Sequence, residues 1–213
     1  MTRAITLGAV LVALAPSGAT AHALDEYVQA SRLSLTRTHV GLEIDLTPGG
    51  QIAAPIIRTI DRDGDGLITP AEAAAYGARV LADAVVELDG DRVVMKLTRI
   101  EIPPPGEMRE GAGTIHLSAS GSHGARLIHR ARLSFRNNHA PDVSVYSVNA
   151  LVPADRALSV SSQDRDARQR SARILYDVRP LVALQIGWVA FALLTSLAWG
   201  LARKPRNTVS HAP

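Results

Sequence analysis

Residues 61–72 read Asp-Arg-Asp-Gly-Asp-Gly-Leu-Ile-Thr-Pro-Ala-Glu, with an oxygen donor at every second position from the start of the run. Asp61, Asp63 and Asp65 stand at loop positions 1, 3 and 5, and Leu67 offers its main-chain carbonyl at 7. Thr69 brings a hydroxyl or a held water at 9, and Glu72 brings two carboxylate oxygens at 12. The spacing has a physical cause. Alternate residues of a tightly wound loop point at one centre, and calcium takes about six to eight hard oxygens at roughly 2.3–2.6 Å. Such winding needs a residue that tolerates positive φ at its sharpest point, and Gly66 supplies it. Without a cation the acids repel one another, so the metal-free loop is expected to be loose.

The loop also dictates its flanks. Thr69-Pro70-Ala71-Glu72 is a helix start, with Thr69 as N-cap, Pro70 in the first helical position and Glu72 three residues after the cap. Residues 71–83 are rich in helix formers and place Tyr76, Val80 and Leu81 on one face. Upstream, Ile56, Ile57 and Ile60 give a short apolar face, and Pro55 is expected to limit that helix to about two turns. Residues 51–83 therefore resemble an EF-hand, which implies Ca2+ held by Asp61, Asp63, Asp65, Leu67, Thr69 and Glu72. Ile68 stands at loop position 8, where paired EF-hands place a β-branched residue. No second loop follows. Asp89-Gly90-Asp91 and Asp164-Arg165-Asp166 lack the glycine and the closing glutamate and read as hairpin turns. A single hand fits a structural clip better than a switch.

Both ends of the chain carry membrane signals. Met1-Thr2-Arg3, an apolar stretch over residues 4–15 and the small-residue site Ala19-Thr20-Ala21 make residues 1–21 a bacterial signal peptide. The chain has no cysteine, so disulfides are excluded. Residues 181–202 carry no formal charge and would extend about 33 Å as a helix, the depth of a bilayer's hydrocarbon core. Trp199 sits near one edge, and Arg203, Lys204 and Arg206 follow at once. Residues 179–203 therefore read as a transmembrane helix, with residues 204–213 as a cytoplasmic tail and the body of the chain periplasmic.

Residues 22–178 have the length of one domain. Outside the hand they alternate apolar and polar residues in short runs bounded by turns. Runs 27–35 and 39–46 form a hairpin turning near Arg37. Runs 85–88 and 92–100 flank Asp89-Gly90-Asp91, and runs 114–120 and 125–135 flank residues 121–124. Runs 142–151, 157–161 and 171–178 bring the total to about nine strands. The expected fold is a mainly β, antiparallel, sandwich-like domain with the EF-hand inserted between the second and third strands. Its five aromatics, Tyr27, Tyr76, Phe135, Tyr146 and Tyr176, leave most of the core to Val, Leu and Ile.

The net charge of +3 includes the cluster after residue 202, so the exported part is nearer neutral. No basic helix with interleaved aromatics supports nucleic-acid binding. No nucleophile elbow, zinc-protease motif or phosphate loop is present, and the chain is read as a non-enzyme. His116, His129 and His139 fall in or beside predicted strands, with no spacing that gathers them. Cleavage after Ala21 would make His22 the mature N-terminus, whose amine and imidazole together can grip copper or nickel. Cleavage after Ala23 would remove it.

The start Ala21-His22-Ala23-Leu24-Asp25-Glu26-Tyr27, the strands that follow it and the loop at residues 61–72 are similar to the exported leader domain of some nickel/cobalt permeases. Val148-Asn149-Ala150-Leu151-Val152-Pro153 matches more loosely. This chain has a single candidate span, so the transport channel is missing, and the resemblance implies an accessory role beside a membrane partner. Two function classes follow. One is a membrane-anchored calcium-binding structural or interaction module. The other is an accessory protein that passes nickel, cobalt or copper to a transporter.

Overall fold

In β1 (Tyr27–Leu35) and β2 (His39–Pro48) the alternation of the sequence becomes alternation of buried and outward-facing side chains. The two pair antiparallel, with Tyr27 opposite Pro48 and Leu35 opposite Val40, around a turn at residues 36–38. A computed structural model describes residues 25–125 and 127–179. Both the candidate signal peptide and the candidate membrane span lie outside these residues. Among the described residues no helix is long and apolar enough to cross a membrane.

After β2 come α1 (Gly50–Ile60) and α2 (Pro70–Asp83), inserted before β3 (Ala84–Leu88). Next are β4 (Asp91–Arg92), β5 (Lys96–Glu101), a short α3 (Pro105–Arg109) and β6 (Ile115–Ser122). The chain closes with β7 (Arg130–Asn137), β8 (Ser144–Ala150), β9 (Leu158–Arg165) and β10 (Ser171–Val178). Among the described residues these strands make two five-stranded sheets, ordered β5-β6-β2-β1-β8 and β4-β3-β7-β10-β9. The protein is thus mainly β and sandwich-like, with few and short helices.

One core lies between the sheets. Leu33, Leu42, Ile44 and Leu117 of the first sheet share it with Val86, Leu133, Phe135 and Ile174 of the second. All five aromatics of the domain are buried, with Tyr27 and Tyr176 fully so. The open side between β8 and β9 is closed by side chains rather than by a strand. Gln163 and Arg165 both donate to the Val148 carbonyl, at 3.1 and 2.6 Å, and Gln163 accepts from the Ala150 N–H. These bonds occupy edge groups that would otherwise be free to pair with another chain.

Five expectations need correction. The sheets are not wholly antiparallel, because β1 and β8 run parallel with Tyr27 opposite Ser144. β6 and β7 do not form a hairpin: β6 pairs with β2 and β5, while β7 pairs with β3 and β10. Similarly, the run after Asp91 breaks at residues 93–95, leaving β4 in one sheet and β5 in the other. Alternation says which side chains turn inward, but both sheets of a sandwich present the same alternation. Asp164 and Arg165 belong to β9, and the turn lies at residues 166–170, where the Asp166 carboxylate accepts from the Arg170 N–H at 2.8 Å. Finally, α1 spans 11 residues with Pro55 inside it. Pro55 stands on the exposed face, where water can satisfy the carbonyl that its missing N–H leaves free.

Candidate metal centre

The acidic loop hangs between α1 and α2, and both helices are fixed from below. Ala53, Ile57 and Ile60 of α1 and Tyr76, Val80 and Leu81 of α2 are buried. Gly77 lets α2 lie close on β5: an added Cβ would stand 2.9 Å from a Leu97 methyl. Arg79 donates to the Thr59 carbonyl and lies 5.4 Å from the Tyr76 ring centre, tying the end of α1 to the side of α2. The helices therefore hold both ends of an otherwise exposed loop.

Inside the loop the aspartates fold its backbone around themselves. Asp61 accepts from the Gly64 N–H through Oδ1 at 2.8 Å and from the Gly66 N–H through Oδ2 at 3.0 Å. Asp63 accepts from the Asp65 N–H at 3.3 Å, and Asp65 from the Leu67 N–H at 2.8 Å. Gly64 and Gly66 take φ of 75° and 84°, a region costly for side-chain-bearing residues. As a result one carboxylate oxygen from each of Asp61, Asp63 and Asp65 lies within 4.8 Å of the others. Two oxygens on opposite sides of an ion held at about 2.4 Å would be separated by about 4.8 Å. The cluster fits a divalent cation. Among the described residues no Lys, Arg or His forms an ion pair with any of the three.

Glu72 takes a different place. It stands outside the three-aspartate cluster and closes the start of α2 instead. Its Oε2 accepts from the Thr69 N–H at 3.0 Å and from the Thr69 hydroxyl at 2.9 Å, while Oε1 accepts from the Arg62 N–H at 2.8 Å. The Thr69 hydroxyl in turn accepts from the Glu72 N–H at 3.3 Å, completing the capping box read from sequence. These bonds, led by the Thr69 N–H, hold the Glu72 carboxyl below its ordinary range. Glu72 is thus an ionised acid spanning both ends of the loop, from Arg62 to Thr69. Leu67 is exposed, and Ile68 packs partly against the core.

The histidines do not gather. His139 sits at the C-terminal end of α2, its Nδ1 2.8 Å from Asp83 and its Nε2 3.2 Å from the Tyr76 hydroxyl. His116 lies on the outer face of the first sheet, 2.8 Å from Asp45. His129 lies beside β7, where its carbonyl accepts from the Val178 N–H. His22 lies outside the described residues. Neither the Asp83–His139 contact nor the Asp45–His116 contact was legible in the sequence: the partners are 56 and 71 residues apart and carry no local motif. Compared with protein-family profiles and with curated protein sequences, the chain gives no match to either.

Proposed function

We propose that this chain is a calcium-binding structural or interaction module, exported from the cytoplasm and held at the membrane by residues 181–202. The observation that carries the reading is the convergence of Asp61, Asp63 and Asp65 with no cationic side chain to balance them. An all-oxygen set favours calcium or magnesium over thiophilic metals, and the EF-hand spacing of the loop suits calcium better than magnesium's strict octahedron. On this reading Leu67 contributes its carbonyl, Thr69 a hydroxyl or a held water, and Glu72 its carboxylate. Calcium supplies the positive charge that holds these oxygens together. The protein's own part is to aim the aspartates through the Gly64, Gly66 and Leu67 N–H groups.

The role follows from where the loop is attached. Its helices pack on the sheets through Tyr76 and Leu81, and the rest of the loop is solvent-facing, so occupancy would stiffen an exposed corner of a rigid domain. Extracytoplasmic calcium is plentiful, and affinity of about 10⁻⁵ to 10⁻³ M is sufficient there. Calorimetry of the full chain in detergent, with calcium and then magnesium as titrant, tests the site. The expected result is one calcium per chain and weaker magnesium binding. Absence of both binding heat and a melting shift at millimolar calcium would reduce the loop to a turn. Topology is tested separately. A reporter after Pro213 is expected in the cytoplasm and one beside Val178 outside it, and an exported C-terminal reporter would sink the anchor.

A further inference from the structure

The last described residues of the chain are tied to three loops at one end of the sandwich. The Val178 N–H donates to the His129 carbonyl at 2.8 Å, and the Arg179 N–H donates to the Ala157 carbonyl at 2.8 Å. Arg37, in the β1–β2 turn, donates to the Arg179 carbonyl at 3.1 Å and pairs with Asp155 of the β8–β9 loop at 3.1 Å. Arg179 is thus held at both its N–H and its carbonyl, and Pro180 alone separates it from residue 181, where the candidate span starts. Two residues of extended chain reach at most about 7 Å. The headgroup layer on each side of a bilayer is about 5–8 Å deep. With residue 181 at the edge of the hydrocarbon, Arg179 and the loops bonded to it lie at the level of the headgroups.

The surface of this end suits that position. Val152 in the β8–β9 loop is 91 % exposed, and Ile128, just before β7, is 51 % exposed. The loops and the strand ends that meet them carry Arg37, Arg130, Arg156 and Arg179. Their acids are already engaged, Asp155 with Arg37 and Asp177 with Arg130. Among the described residues Arg156 and Arg179 form no ion pair, so this end has positive charge to spare. The helices that carry the acidic loop leave β2 at Pro48 and enter β3 at Ala84, the ends of those strands remote from Arg179. We propose that this end of the domain docks on an anionic lipid surface, with its arginines on lipid phosphates and with Val152 and Ile128 in the headgroup layer. Guanidinium groups are weakly hydrated and grip phosphate oxygens through paired N–H donors, and basic residues are drawn to anionic leaflets. The two apolar side chains gain by leaving water. The inference rests on the reading of residues 181–202 as a membrane span and adds an orientation to it.

The chain has no cysteine, so an introduced one carries a fluorophore at a single place. The full chain is reconstituted in vesicles of phosphatidylcholine, or of equal parts phosphatidylcholine and phosphatidylglycerol, with the label at Val152→Cys, at Ile128→Cys or, as control, at Leu67→Cys on the acidic loop. Quenching by a lipid with a nitroxide on its headgroup reads docking. Trp188 and Trp199, the chain's two tryptophans, both lie in residues 181–202, so their quenching by brominated acyl chains reads the anchor separately. The labels at Val152→Cys and Ile128→Cys are expected to be quenched, more strongly with phosphatidylglycerol, and the label at Leu67→Cys to stay bright. Arg156→Glu is expected to remove most of the gain from phosphatidylglycerol. Its side chain is exposed, and an unchanged thermal melt verifies that the variant folds. Quenched tryptophans with all three labels equally bright would overturn the docking and leave the anchor standing. Label quenching that is the same in both vesicles would overturn the recognition of anionic lipid. Unquenched tryptophans would overturn the anchor, and the docking with it.

Discussion

The hydroxyls of Tyr27 and Tyr76 meet at 2.5 Å, joining the first strand of the sandwich to the helix that leaves the acidic loop. The chain of contacts continues from the Tyr76 hydroxyl to His139 Nε2 at 3.2 Å and from His139 Nδ1 to Asp83 at 2.8 Å. Both rings also pack edge-on against the His139 imidazole. Burial pushes the Tyr76 hydroxyl up to about 12 and raises Tyr27 well above its ordinary value, so both remain neutral donors wherever the domain is folded. The direction of the chain follows the His139 tautomer: with Nδ1–H given to Asp83, Nε2 accepts from Tyr76 and Tyr76 accepts from Tyr27.

That polarity makes the two tyrosines unequal. Tyr76→Phe strands the Tyr27 hydroxyl in the core and is expected to cost about 1–3 kcal/mol, the penalty for an unsatisfied buried donor. Tyr27→Phe leaves Tyr76 donating to His139 and is expected to cost about 0.5–1.5 kcal/mol, the net worth of one hydrogen bond. Urea unfolding of the two variants measures the difference. Equal losses would show that the chain has no fixed direction.

The loop variants separate ligand from cap. Asp61→Ala removes a cluster oxygen while leaving the Thr69–Glu72 capping box intact, so it is expected to abolish the calcium-dependent melting shift. Thr69→Ala removes the N-cap hydroxyl and is expected to cost about 1 kcal/mol in calcium-free buffer. For the unaltered protein, calcium at a hundredfold above its dissociation constant is expected to add about 2.7 kcal/mol. A calcium-dependent shift that persists in Asp61→Ala would remove that aspartate from the site.

Local features were legible in the sequence because their causes are local. The capping box at Thr69 and Glu72 needs only a three-residue spacing, and the structure holds both of its bonds. The turn at Asp89-Gly90 is equally local: both residues take positive φ, as a tight hairpin turn requires. Sheet membership is not local. The alternation in β6 and β7 is satisfied by either sheet, and nothing in residues 115–137 says that the chain crosses between them. The position of Glu72 was half legible. Its spacing serves equally as a twelfth-position ligand and as a capping partner, and the structure has it in the second role.

Tyr176 offers a change in the opposite direction. It is fully buried on β10, and among the described residues its hydroxyl has no hydrogen-bond partner. Burial pushes that hydroxyl up to about 12, so it stays protonated and carries an unmet donor in the core. Tyr176→Phe removes the polar atom and keeps the ring. It is therefore expected to leave stability unchanged or raise it by about 1 kcal/mol. Thermal and urea unfolding check this, and a clear loss of stability would mean that the hydroxyl has a partner in solution.

Asp45 is expected to shape the acid limb of the stability curve. Burial alone would raise its carboxyl, but the hydrogen bonds from Arg32 and His116 outweigh burial and hold it below the ordinary value. The sign follows from linkage. A carboxyl lowered by folding binds its proton more readily in the unfolded chain, so its contribution is complete above the unfolded value of about 4 and fades as pH falls through the folded value. Asp45→Asn removes the titrating group while keeping an acceptor for Arg32. The gap in unfolding free energy between the parent and Asp45→Asn is therefore expected to narrow as pH falls below about 4. Urea unfolding in buffers from pH 8 to pH 3 measures it. A gap that stays level through the acid range would mean that Arg32 and His116 do not hold the carboxylate in solution.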